Sequence, residues 1–265
     1  MKSISPKHNE KVFNDFYTLV SERHLPIDMI SNTIVLSQGA LWKHRMVRDP
    51  TPSHHQADLT SVPPGTNTVI EWGLLDHLMD MHLVLLEVGK EEMKDPPTMD
   101  GVDDIAQRIS AVFRRTLPAL RIASKWLRAN FKYVMQDQEF AALQVKESAR
   151  GLELSKQTTH KISGYSLKTV RYWKTYAQFV LALSQAFPVN KLTPLNAPLE
   201  EDIEMKGFLP LRKLMGEDRD SGKGKSPMSA GEPREHPNVE QLMRIHDLLE
   251  DAKALTKMEV CLSNL

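Results

Sequence analysis

Five cations recur along one stretch at helical spacing: Arg114, Arg121, Lys125, Arg128 and Lys132. On a helix these positions fall within a sector about 40–60° wide. Such a row can neutralise successive phosphates of a nucleic-acid backbone, where the number of contacts matters more than any one residue. It can equally pair with carboxylates of a neighbouring helix, or line a solvated edge. Trp126 and Tyr133 lie beside the row; aromatic rings there can stack on bases or fill a core. Lys43 and Arg45 belong to a second cluster, with His44 and Arg48, ahead of Asp49-Pro50. They can extend a binding surface or complement the negative end of a helix. Segregation is local, because 34 Lys+Arg balance 34 Asp+Glu over the whole chain.

Other chemistry is sparse. His54 and His55 are adjacent with no cysteine nearby, whereas a zinc site needs about four ligands at set spacings. His77 and His82 are five apart, so they lack the i, i+4 geometry of a metalloprotease helix and are expected to be partly buried. No phosphate-cradling glycine loop, nucleophile elbow or cysteine pair occurs in the sequence, and the expectation is a non-enzymatic module without metal or cofactor. Cys261 is the one cysteine, which rules out an internal disulfide and suits a reducing compartment.

The elements that must carry these residues are helices. Glycine is low at 12 residues and β-branched alternation is scarce, so the expected class is all-α. The 265 residues are read as one helical domain spanning 1–265. Its expected form is antiparallel helical hairpins in a right-handed or solenoid-like array. The longest apolar stretch, Val69–Val88, includes Glu71, Asp76, His77, Asp80, His82 and Glu87; it reads as a buried helix and no membrane partner is expected. The first residues lack the apolar run of a signal peptide.

Taken in order, the first expected helix, 7–23, buries Val12, Phe13, Phe16, Leu19 and Val20. Pro26 opens a second, with Ile27, Ile30, Ile34 and Leu41 inside. A loop at 49–67 leads to helix 68–94, whose polar sector is Asp76, Asp80, Glu87 and Glu91. Helix 102–135, kinked near Pro118, is its expected antiparallel neighbour, so that sector is the first candidate partner for the basic row. A polar segment covers 137–157. Helix 166–187 is expected to bury Val170, Trp173, Tyr176, Ala177, Val180, Leu183 and Phe187. Residues 216–236, rich in Gly, Ser, Pro and charge, read as a disordered insertion. The last helix, 237–258, buries Leu242, Ile245, Leu249 and Ala252.

Between these helices, 199–214 has no helical period and reads as a long extended loop. Phe208, Leu209 and Leu211 are its expected anchors and Gly207 its turn. The acidic part, Glu200–Glu204, is expected to lie over a basic surface such as the 114–132 row.

Residues 199–211, LEEDIEMKGFLPL, resemble the signature of the ever-shorter-telomeres/SMG family, an acidic pair followed by Arg-Gly-Phe-x-Pro-Leu. Glu201, Asp202, Gly207, Phe208, Pro210 and Leu211 match; Lys206 stands where Arg is common, and Glu200 takes the usual Pro position. LLDHLMDMHLVLLEVG and LPALRIASKWLRAN are similar to the family's pair of long helices, with Trp126 and Leu127 in its Trp-Leu dipeptide, and HPNVEQLMRIHDLLEDAKAL resembles fungal members. The resemblance implies the family's DNA/RNA-binding domain of helical hairpins, with the N-terminal 14-3-3-like domain absent. It implies an adaptor in nonsense-mediated mRNA decay or telomerase recruitment, in the nucleus or cytoplasm. Implied partners are RNA or single-stranded telomeric DNA and mRNA-decay or telomerase proteins. The acidic cluster of the family's nuclease-bearing relatives is not found.

Overall fold

Apolar residues at helical period form helices throughout the computed structural model, which describes residues 6–48, 65–94, 105–135, 167–211, 214–215 and 236–263. The α-helices are α1 (Pro6–Ser21), α2 (Ile27–Arg48), α3 (Gly65–Glu92), α4 (Ala111–Ala129), α5 (Phe131–Val134), α6 (Leu167–Ala186), α7 (Glu200–Glu204) and α8 (Pro237–Ser263). Short 3-10 turns occupy Ile105–Arg108, Val189–Lys191 and Leu209–Leu211. There is no strand among the described residues, so the chain is all-α. None of the described helices is long and apolar enough to cross a membrane. Residues 49–64 of the predicted 49–67 loop, the polar segment 137–157 and residues 216–235 of the predicted 216–236 insertion lie outside the described residues, and 65–67 belong to α3.

α3 is apolar on almost every side, and a helix of that kind has to be enclosed. It packs against α1, α2, α4 and α6. Leu75, Leu78, Met81, Val84, Leu85 and Val88 are buried along it; each such side chain contributes about 1.5–3 kcal/mol. Gly89 lets α6 come close: a Cβ there would sit 2.7 Å from the Phe179 ring. α4 is the second inner helix, with α2 on one side and α8 on another. α8 thus lies beside a helix distant in the chain, whereas a solenoid pairs sequence neighbours.

Several boundaries and faces differ from the sequence reading. The predicted helix 102–135 divides at Ser110 and again at Asn130. Ser110 caps α4, accepting from the Phe113 amide at 3.0 Å and donating to Glu92 at 2.5 Å. Pro118 lies inside α4 without ending it. In α6 the buried face is partly rotated: Tyr172, Thr175 and Phe179 are inside, as are the expected Leu183 and, just after the helix, Phe187; Trp173, Tyr176 and Val180 pack half-buried, while Val170 and Ala177 are exposed. Val12, Leu19 and Ile27 are also exposed. α8 runs past 258 to Ser263, with Leu242, Ile245, Leu249 and Ala252 buried as expected.

The described residues of 199–214 are not extended. They fold as α7, a turn in which Gly207 takes a φ of 87°, and a 3-10 turn. Leu199, Met205, Leu211 and Met215 are the buried anchors. Phe208 is half-buried, and Leu209 points outward at 52% exposure.

Candidate interaction surface and the buried charge network

Four of the five residues of the basic row lie along α4, where Arg121 and Lys125 point inward, and Lys132 lies in α5. Arg121, Ser124, Lys125 and Arg128 follow an i, i+3, i+4, i+7 pattern. Arg244, Asp247 and Asp251 do the same on the facing side of α8. Arg121 is fully buried. Its Nε donates to Asp247 at 2.6 Å, and its Nη1 donates to Glu201 at 3.2 Å. Its Nη2 stands 2.9 Å from Asp202, an ion contact lacking hydrogen-bond alignment. Lys125 Nζ donates at 2.9 Å to both Asp247 and Asp251. Arg128 reaches Asp251 at 3.0 Å, and Ser124 donates to the other Asp251 oxygen at 3.1 Å. Arg244 grips both Glu201 oxygens, at 3.0 and 2.8 Å. Asp202 also accepts from the Leu199 amide at 2.9 Å, closing the first turn of α7.

Arg121, Lys125, Arg128 and Arg244 thus face Glu201, Asp202, Asp247 and Asp251, and the cluster balances. Balance is required, because an unpaired buried charge costs several kcal/mol, on the order of 3–5 when one partner is removed. Burial opposes ionisation of Arg121, but Asp202, Asp247 and Glu201 outweigh it and hold the guanidinium charged. Burial likewise pushes Glu201 and Asp247 up; Arg244 and Arg121 for the first, Arg121 and Lys125 for the second, outweigh it and hold both below the ordinary carboxylate range.

Other members of the row have separate fates. Arg114 donates to the carbonyls of Ile109 and Ala106 at 3.1 and 2.6 Å and to Asn238 at 2.7 Å, tying the turn before α4 to the start of α8. Lys132 and Lys43 are exposed. Arg45 lies 3.9 Å above the Tyr133 ring. The Tyr133 ring also stacks on Trp72, with centroids 6.2 Å apart, and its hydroxyl donates to Glu71 at 2.7 Å. Trp126 is buried edge-on to His82. Neither ring is free to stack on a base, and Arg121 and Lys125 are no surface for phosphate.

The partners of the row also differ from the first candidate. They come from α7 and α8, while in α3 Glu87 pairs with Arg171 at 2.9 Å and Glu91 with Lys94 at 2.6 Å. The expectation that the acidic residues of 200–204 cover the row holds for Glu201 and Asp202. Sequence reasoning missed Arg244, Asp247 and Asp251. The available signal was the shared spacing of four, Arg121 to Lys125 and Asp247 to Asp251. His82, expected to be partly buried, is fully buried, and neither ring nitrogen has a hydrogen-bond partner in the protein. Burial pushes its imidazole down to about 3.

The row ends beside an open groove. Leu41, Trp42, Arg45 and Met46 of α2 form one wall, and Trp126, Ala129 and Asn130 of α4 and its cap form another. Leu209, Pro210, Leu211 and Leu214 close a volume of about 400 Å³. Gly207 makes this possible, since its left-handed backbone turns the chain after α7 back toward α2. Phe208 then packs beside Gly39, its ring 3.7 Å from where a Cβ would stand. The signature residues therefore split: Glu201 and Asp202 lock onto α4, while Pro210 and Leu211 line the groove.

Among the described residues no group of three or more His, Cys, Asp or Glu is placed to hold a metal ion. Comparison with protein-family models, curated proteins and solved structures finds no match to this chain.

Proposed function

We propose that the chain is a non-enzymatic, all-α adaptor domain that works by binding other proteins, after the manner of the ever-shorter-telomeres/SMG adaptors. The observation that carries the protein-binding reading is the internal use of the basic row: Arg121 and Lys125 are buried against Glu201, Asp202, Asp247 and Asp251. The resemblance of 199–211 to the family signature supports placing it with mRNA-decay or telomerase proteins, in the nucleus or cytoplasm. Reversing Arg121, Lys125 and Arg128 together to Glu tests it. The expected result is a large drop in melting temperature, with no salt-dependent RNA or single-stranded DNA binding in the parent protein for the variant to lose. A folded triple variant with parental stability would sink the reading.

A second reading, direct nucleic-acid association, is favoured by the exposure of Lys43 and Lys132 and the partial exposure of Arg45. Three phosphate contacts would give a log–log salt slope of about −2 on single strands. A slope of that size, abolished by Lys43→Glu with Lys132→Glu, would establish it in place of the first.

A further inference from the structure

Resting on the adaptor reading, we propose that the groove between α2, α4, residues 209–211 and Leu214 docks a short partner segment carrying one large apolar side chain beside a carboxylate. The walls are apolar, from Leu41, Trp42, Met46, Leu209 and Pro210, and about 400 Å³ accommodates a bulky side chain with its neighbours. Met46 and Leu209 come from different sides of the groove and are 59% and 52% exposed. An apolar side chain seated between them removes both from water.

Charge selects the rest of the occupant. Arg45 is the groove's cation: one face of its guanidinium stacks on the Tyr133 ring at 3.9 Å, and its polar contacts are long, 3.4 Å to Asn130 and 4.0 Å to Glu71. Arg121, by contrast, is held by three carboxylates within 3.2 Å. A guanidinium held that loosely keeps donors for a bidentate carboxylate. The flanking stretches 41–46, 126–135 and 204–211 add exposed Lys43, Lys132 and Lys206, against one exposed carboxylate, Glu204. An acidic segment is drawn toward such a field and a basic one repelled. A nucleic-acid strand fits less well, because Arg45 alone among the lining residues offers its phosphates a charge, and Trp126 is buried against His82, which leaves its bases Trp42 only.

The test uses the full chain and fluorescein-labelled nonapeptides with a central Leu, Phe or Trp between Asp and Glu residues. Control peptides replace the carboxylates with Lys, or the apolar residue with Ser. Fluorescence anisotropy is expected to show saturable binding of the acidic–apolar peptides, at least about tenfold weaker for both controls. Met46→Asp and Leu209→Asp change exposed side chains, so their melting temperatures should match the parent while affinity falls about tenfold. Arg45→Gln should remove the preference for acid and leave apolar selectivity.

Three results overturn the proposal: no saturable binding by any acidic–apolar peptide, binding indifferent to Met46→Asp and Leu209→Asp, or self-association of the chain that these substitutions abolish. The last would make a second copy the occupant. These outcomes are independent of the triple charge reversal. The peptides can fail while the reversal still costs folding, and the adaptor reading then stands without this groove.

Discussion

At the scale of single residues, Arg121 is where a surface reading turns into an interior one. It meets three carboxylates contributed by two other helices. Arg121→Met should destabilise the fold by about 3–5 kcal/mol in denaturant titration, because Glu201, Asp202 and Asp247 lose a shared partner. Combining it with Asp247→Leu should cost less than the sum of the single changes. Acid should act in the same direction. Glu201 and Asp247 are held below their usual values by arginine and lysine, and His77 and His82 are held below theirs by burial. In each case the unfolded chain binds the proton more readily, so stability is complete above the unfolded value and declines as pH falls. For His82 that window runs from about 6.5 down to about 3. One proton corresponds to about 1.4 kcal/mol per pH unit. Melting temperatures between pH 7 and 4 should show the decline, and His82→Leu should flatten it. A parent protein whose stability is level across that range would contradict the burial of His82.

At the scale of elements, α7 shows why the sequence resolved some segments and not others. α3 and α8 repeat their apolar pattern over many turns, so α3 was readable as a buried helix and α8 by its core of Leu242, Ile245 and Leu249. α7 has five residues, too few for any period, and is set by its anchors and the Asp202 cap. The same limit explains the one wrong anchor, Leu209. Phe208 and Leu209 look like core from composition, yet the turn at Gly207 sends Leu209 outward. Leu211→Ala should therefore cost about 2–5 kcal/mol, and Phe208→Ala distinctly less, both read by chemical denaturation. Gly207→Ala should cost about 1 kcal/mol through its positive φ. Gly89→Ala should cost about 1–3 kcal/mol by crowding Phe179. The partly rotated face of α6 has another cause: aromatic and apolar residues nearly encircle that helix, and periodicity does not say which of them its neighbours cover.

At the scale of the whole molecule, the class was legible and the assembly was not. Low glycine and helical periodicity fix an all-α chain. That α8 returns to α4 depends on side-chain pairs more than 120 positions apart, such as Arg121 with Asp247, which no local window contains. The basic row was legible as a row; what it faces was not, since a row of cations can satisfy water, phosphate or carboxylate equally well. The groove was invisible for the same reason, being made of three stretches that meet only in the folded chain.

The reach of the charge network also sets an order of events in synthesis. Lys125 is made more than a hundred residues before Asp247 and Asp251, its two carboxylates. While the chain emerges, Glu201 and Asp202 reach Arg121 first, but Lys125 has no counter-charge before α8 is made and that part of the α4 face must stay hydrated. The N-terminal helices can gather around α3 during that interval, but α4 cannot be sealed until α8 has left the ribosome. Ribosome-arrested chains ending at residue 235 should accordingly stay protease-sensitive within α4, and chains long enough to expose α8 should become resistant in a single step.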